Sequence, residues 1–414
     1  MTKIDELSSN LQMLMTTTAN ELAKKTGFIK RQRKLTGAVF AQALVLGGLA
    51  TPEATRKEQQ QNLSQTGVQM SVQGLEQRFT ESAVVFLCAL LEATLNVLVM
   101  SEQRISLLPQ FNGIYLMDCS RFTWGKIGFK LGVRWNLQSG QLEMDMMDLK
   151  QHDQKSQVVD KDMPRGALHL GDLGFFKLKR FADWNARGIY WLSRFKVGTT
   201  VFTHDGQALD VAQYLATCAG EIRLPIIMGI QTPVTCWLVA APTPEDARAK
   251  RLARLKEEAR LDQRPISKQK LALSAFTIYV TNIDGLTFPQ AHILARMRWQ
   301  IELLFKLWKS HVRVLHSRSA DPIRQQCEGY AKLIAAVVQH WVLLVSEYDF
   351  LDASPLDALR IVRTHATLLL RSFRQPSLGS LFFQLVRDEL ADLPPRQKRG
   401  KNPSACQLWA AFCA

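Results

Sequence analysis

The sequence predicts an α+β / α/β chain in which a mixed sheet is flanked by helices, with further helical regions before and after it. Three observations predict that class. Residues 1 to about 108 read as helices broken by short turns. From residue 111 short apolar runs alternate with helical segments, the order expected of a sheet with helices on its faces. From 320 to 392 the helical texture returns.

Composition agrees. The chain has 414 residues, and its 23 Gly and 15 Pro are too few for a fibrous or disordered polymer. That length supports a large core and about two to four structural units. Lys+Arg outnumber Asp+Glu by 52 to 37, a formal net charge of +15. Such a surplus suits a polyanionic partner, nucleic acid above all, or else a plain solvated basic surface. The 7 cysteines form no CxxC pair, which argues against a zinc ribbon or disulfide framework and for a reducing compartment. The N-terminus, MTKIDELSSN, lacks the apolar core of a signal peptide. Leu35 to Pro52 is uncharged but carries Thr36, Gln42, Gly37, Gly47 and Gly48, so it reads as a buried helix and not as a membrane span. The expected setting is a reducing cytoplasm, with no membrane contact.

The elements follow in order. Thr51-Pro52-Glu53 reads as an N-cap with Pro at the first helical position. Ser71 to Arg78 follows a Thr66-Gly67 break and leads into an apolar helix from Ala83 to Leu98, which suits a helix-turn-helix or any small helical bundle. Gly113 to Asp118 is an apolar strand ending in a carboxylate. Ile127 to Trp135 and Gln141 to Leu149 flank a Gly-containing turn and predict a hairpin. Ala167 to Asp172 is a second short strand ending in a carboxylate, Phe175 to Arg187 a helix, and Gly188 to Phe195 another strand. Residues 197 to 242 look like further strands. Thr243-Pro244-Glu245-Asp246 then opens a helix carrying Arg248, Lys250, Arg251, Arg254 and Lys256 with no acid among them. Leu271 to Ile283 returns to strand, and Thr287 opens a long helix through His311.

That last helix holds the sharpest chemical signal. At about 100° per residue, Arg298, Glu302 and Lys309 fall at about 0°, 40° and 20° on the wheel, one narrow stripe. A salt-bridged solvated face would look the same. The company of Asp118 and Asp172, each ending a strand, favours more. Three carboxylates suit a pair of Mg²⁺ ions, which take oxygen ligands and leave positions open for phosphate and water. Arg298 and Lys309 would then bind flanking phosphates, Arg as a fork and Lys as a point charge.

At these residues the sequence resembles the bacterial insertion-sequence transposases of the DDE class that carry a Tyr-Arg-Glu-Lys (YREK) signature. Arg298, Glu302 and Lys309 match its spacing, within Arg298-Trp299-Gln300-Ile301-Glu302 and Phe305-Lys306-Leu307-Trp308-Lys309. Ala295 stands where the signature has Tyr. Leu116-Met117-Asp118-Cys119-Ser120 and Leu170-Gly171-Asp172-Leu173-Gly174-Phe175 resemble the two aspartate segments, and the resemblance covers roughly 70 to 350.

The resemblance implies a ribonuclease H-like core with Asp118, Asp172 and Glu302 as catalytic metal ligands for two Mg²⁺ or Mn²⁺ ions. It also implies a β-rich insertion between the second Asp and the Glu. The 130 residues from Asp172 to Glu302 leave room for one. The activity implied is cleavage at transposon ends and transfer of the freed 3′-hydroxyls into target DNA, by a homodimer that bridges two inverted-repeat ends. Trp237 in the insertion is a possible base-stacking residue, though a buried strand Trp is the plainer reading. Arg248, Lys250, Arg251 and Arg254 are candidate DNA contacts beside Arg298 and Lys309. The expected organisation is a DNA-binding region at 1–108, core at 109–200, insertion with basic helix at 201–270, core completed at 271–320, and a helical region at 321–414 with a possible dimerisation role and a basic tail. Two rivals remain: a catalytically silent DNA-binding descendant, and a nuclease of the same fold without strand joining.

Overall fold

The computed structural model describes residues 2–31, 33–97, 99, 108–346, 348, 353–394 and 408. The basic tail and Cys406 and Cys413 lie outside the described residues. Contacts divide the chain into two compact units, one of residues 1–105, 119–151 and 302–402, the other of 106–118, 152–301 and 403–414.

The first unit is largely helical. Lys3–Met13 and Ala19–Lys25 run on through a π turn at Leu14–Thr18, and Gly37–Ala41 continues through a second π turn into Gly47–Ala50. The uncharged stretch is therefore a buried helix as expected: Phe40, Val45 and Leu46 are fully buried. Its polar Gln42 is satisfied by donating Nε2–H to the Met15 carbonyl at 3.0 Å. Among the described residues no helix is long and apolar enough to cross a membrane. The next helix, Arg56–Gln65, starts at Thr55 and not at Thr51, because Thr55 and Glu58 form a reciprocal capping box that Thr51 lacks. Val72–Glu76 and Glu81–Leu95 follow, capped by Ser71 and Thr80.

A buried arginine ties these helices to the long helix Pro322–Val345. Arg324 donates Nε–H to Glu328 at 2.9 Å and Nη2–H to Gln59 at 2.7 Å, and its Nη1 meets Glu76. Its charge is thus shared by two carboxylates, which a nearly buried guanidinium requires. The same long helix passes Trp124 at Gly329, where a Cβ would stand 2.2 Å from the indole ring. Pro355–Ser372 and Ser377–Ala391 pack together as the last two helices.

Nine strands form one mixed sheet: β1 (Ile114–Trp124), β2 (Ile127–Asn136), β3 (Leu142–Asp148), β4 (Leu168–Gly171), β5 (Tyr190–Arg194), β6 (Val201–Thr203), β7 (Ile222–Met228), β8 (Val234–Pro242) and β9 (Phe276–Thr281). Their order is β3-β2-β1-β4-β5-β9-β8-β7-β6. β1, β4 and β5 are parallel neighbours, and β9 joins β5 antiparallel. The β2–β3 hairpin is present as predicted, closed at Gly140, whose φ of +74° a side chain rarely adopts.

Two expectations are corrected. β1 does not end at Asp118 but runs on to Trp124, since Phe122 and Trp124 bury on alternate positions beyond it. Where a strand from Leu271 was expected, Lys268–Leu273 is a helix capped by Ser267, and β9 starts only at Phe276. In the second unit, β6, β7 and β8 continue the sheet outward from β9, with Trp237 opposite Thr281 and Pro242 opposite Phe276. Trp191 and Phe181, stacked at 4.1 Å, sit in its core between β5 and the helix Leu178–Arg187.

Candidate active site

The parallel ladder between β1 and β4 pairs Met117 with Gly171, so Asp118 and Asp172 each follow a paired position on neighbouring strands. Asp172 stands just past the end of β4 and opens a short turn, Leu173–Phe175. Both carboxylates are half-buried. This is the carboxyl end of β4 beside the middle of β1; strand carboxyl ends are where open sheets with helical crossovers build their sites.

The helix Phe288–Met297 delivers a cation to Asp118. A capping box between Thr287 and Gln290 starts it, with Pro289 in the first turn, and Ala291, Leu294 and Met297 bury against the sheet side of the unit. The predicted long helix is interrupted at Arg298, which keeps right-handed backbone angles (φ −53°, ψ −27°) and leads into Trp299–Ser310. Arg298 Nη1 donates to Asp118 Oδ2 at 3.2 Å, with the two side chains only 14% and 19% exposed. Ala295 and Arg298 line a cavity of about 20 Å³ together with Gly171, Asp172, Ser193 and Arg194. That space is about one water's worth.

Glu302 and Lys309 belong to the other unit's residues. Glu302 lies in the first turn of Trp299–Ser310 and is half-buried. Lys309 donates Nζ–H to Ser120 Oγ at 2.6 Å and sits 4.8 Å from the centre of the Phe122 ring, both on β1. Sequence reasoning passed over Ser120 and Arg194. Their only signal was position, Ser120 two residues past Asp118 and Arg194 at the end of a predicted strand. It also passed over Trp299, whose 58% exposure is unusual for a tryptophan.

The remaining candidates are placed as follows. Trp237, on β8, carries the Arg223 guanidinium 3.5 Å over its ring, and Arg223 is paired with Asp284 at 2.5 Å. The basic helix is Glu245–Asp262, none of whose residues is buried. Its Arg251 nevertheless folds back: it donates to the Phe276 and Ser274 carbonyls at 2.6 and 3.2 Å and to the Thr243 and Thr277 hydroxyls, each at 3.2 Å. Burial and the neighbouring Arg194 lower its pKa. Arg254 pairs with Glu258 at 3.2 Å, while Arg248 and Lys250 are exposed. Arg251 thus anchors the helix to β9, and Arg248 and Lys250 face water. Among the described residues no group of three or more His, Cys, Asp or Glu is gathered to hold a metal. The donors at the strand ends are all oxygens, the chemistry that hard divalent cations prefer.

Comparison with known proteins identifies the family. The family described as Transposase DDE domain matches residues 123–338, which include Asp172, Arg298, Glu302 and Lys309. The chain is similar to the transposase for insertion sequence element IS231F of Bacillus thuringiensis subsp. israelensis, with 25% identity over 86% of this chain and 84% of the relative. It is similar to the transposase for insertion sequence element IS231C of Bacillus thuringiensis subsp. berliner at 27% identity, with the same two shares of 86% and 84%. The transposase for insertion sequence element IS1151 of Clostridium perfringens matches at 22% identity over 80% of this chain and 79% of its own length. With the family matched over more than half of its residues, on a mixed sheet that presents two aspartates at neighbouring strand positions, the chain belongs to the DDE transposases of insertion sequences.

Proposed function

We propose that this chain cuts DNA at the ends of its insertion sequence and joins the freed 3′-hydroxyls to target DNA, with Asp118, Asp172 and Glu302 as the catalytic carboxylates. The observation that carries the reading is the β1–β4 register, which sets Asp118 and Asp172 at adjacent strand positions, with Arg298 bound to the first of them. Glu302 follows Arg298 by four residues, one helical turn along the chain. DDE transposase domains use divalent metal ions, and the oxygen-only donors fit Mg²⁺ or Mn²⁺. Two such ions, when bound, supply an activated water or 3′-hydroxyl and stabilise the leaving oxygen of the phosphodiester.

The protein's own groups do the rest. The Arg298 fork holds the Asp118 carboxylate, and on DNA binding it is proposed to engage a phosphate oxygen as well. Lys309, steadied by Ser120 and the Phe122 face, supplies a point charge for a phosphate. Together with Glu302 these residues keep the Arg-Glu-Lys part of the YREK spacing, with Ala295 at the Tyr position. The exposed Trp299, and the face of Trp237 opposite the one Arg223 covers, are proposed to stack an unpaired base. Arg248, Lys250 and Arg254, with the helical region at 1–108, are proposed to bind DNA, and two copies of the chain to bridge two ends.

The test is cleavage of inverted-repeat DNA in Mg²⁺ by the wild type and by Asp118→Ala, Asp172→Ala and Glu302→Ala. Each variant should lose cleavage and keep end binding. A variant that still cuts at the wild-type rate would remove that residue from the site. A wild type that binds ends and never cuts would favour the silent DNA-binding rival, and one that cuts without joining the nuclease.

A further inference from the structure

Within the first unit, a concentration of cations gathers around His311. It is built from three stretches of chain: Lys306 and His311 at the end of the Trp299–Ser310 helix, Arg313 in the following loop, and Arg360 and Arg363 on the Pro355–Ser372 helix. Arg363 donates Nη2–H to the His311 carbonyl at 2.8 Å, which fixes the Pro355–Ser372 helix against the loop. Its Nε is buried without a hydrogen-bond partner. Arg313 holds a left-handed backbone (φ +58°), rare for a residue with a side chain. Lys332 and the His316 amide, both bonded to the Arg313 carbonyl, keep it there. Strain of this kind persists where the surrounding structure over-determines it, and it is commonest at functional positions.

The acids facing this cluster are few. Glu53 lies 3.7 Å from Arg313 and 3.1 Å from His316, and Asp357 lies 3.0 Å from Arg360. Lys306, Arg313 and Arg360 are exposed. The charges felt at His311 come from Arg363, Arg360, Arg313 and Lys306, and the His311 pKa is lowered by burial and by these four cations. Asp357 meets Arg360 at helical spacing, as Glu257 meets Arg260, yet Lys306, Arg313, Arg360 and Arg363 together outnumber the two carboxylates Glu53 and Asp357.

We propose that Lys306, Arg313 and Arg360, backed by Arg363, form a grip for the phosphate backbone of duplex DNA, without base readout. The partner follows from the chemistry: exposed guanidinium and ammonium groups from separate elements match spaced phosphates, and contacts of this kind carry no sequence information. The choice of DNA over another polyanion rests on the transposase reading.

The experiment measures binding of full-length protein to a random-sequence duplex, by fluorescence anisotropy across a salt series. The charge-removing variant K306Q/R360Q should bind roughly tenfold more weakly at low salt, with a log–log salt slope shallower by about two units. The charge-conserving variant K306R/R360K should bind like the wild type. A K306Q/R360Q slope and affinity equal to wild type would overturn the grip, and so would an equal loss in K306R/R360K, which would mean packing and not charge. Because the duplex carries no element ends, failure here leaves cleavage of end DNA untouched. A wild type that bound no duplex while still cutting ends would also overturn the grip alone.

Discussion

Removing Arg298 tests the link between the helix and the strand most directly. Its guanidinium lies 3.2 Å from the Asp118 carboxylate, with 14% and 19% of the two side chains exposed. At an effective dielectric of about 20 the attraction at that distance is about 5 kcal/mol before desolvation. Desolvation and ordering of the side chains reduce the net to about 1.5–3 kcal/mol, the range of hydrogen bonds to charged groups. That is well above the ~0.2–1 kcal/mol of a fully exposed pair. Arg298→Ala should therefore destabilise the protein by about 1.5–3 kcal/mol. A double-mutant cycle with Asp118→Ala should return a coupling of about 1–2 kcal/mol. Urea unfolding followed by tryptophan fluorescence, with EDTA present, reads all four corners of the cycle. Arg298→Lys should recover part of the stability and little of the cleavage, because a point charge cannot hold a carboxylate and a phosphate at once as a fork does. A coupling below about 0.3 kcal/mol would refute the ion pair as a stabilising contact. Full cleavage in Arg298→Ala would refute its role in positioning the phosphate.

Two further outcomes follow. His340 is 3% exposed and donates Nε2–H to the Gly140 carbonyl, and burial pushes its pKa down from the ordinary 6.5 to about 4. The unfolded chain thus takes up a proton that the folded chain refuses. This contribution is absent above pH ~6.5 and costs about 3 kcal/mol of stability once pH has fallen through 6.5 to about 4, so a His340→Gln variant should show a flatter pH–stability curve across that window. Ala295 lines a cavity of about 20 Å³, far too small for a phenol ring. Ala295→Tyr, which would restore the YREK pattern, should cost about 1–3 kcal/mol by overpacking against Arg194 and Arg298; an unchanged urea midpoint would show instead that the ring finds room.

Much of this protein is legible from sequence, because the signals are local. The helix start at Thr287 announces itself in a cap and a few following residues, whereas Thr51-Pro52 mimicked a start that the structure places at Thr55. The β2–β3 hairpin needs only its turn and two alternating runs. The spacing of Arg298, Glu302 and Lys309, with a short strand before each aspartate, is likewise local. What lies outside local reach was decided by packing. β1 continues past Asp118 because Phe122 and Trp124 find a core to enter. β9 inserts between β5 and β8, and its pairing with β5 joins residues as far apart as Leu192 and Thr281, in a register that depends on which faces are buried. The Arg298–Asp118 contact closes a separation of 180 residues, the Lys309–Ser120 contact one of 189, and no periodicity within a helix encodes either partner. Arg251 shows the same thing in reverse. On the helical wheel it is one basic residue among several, and only the strand and loop that fold beneath it make it an anchor and leave Arg248 and Lys250 to the solvent. Periodicity and capping are properties of consecutive residues and survive in the unfolded chain. Which cation meets which carboxylate depends on burial that exists only once distant segments have packed.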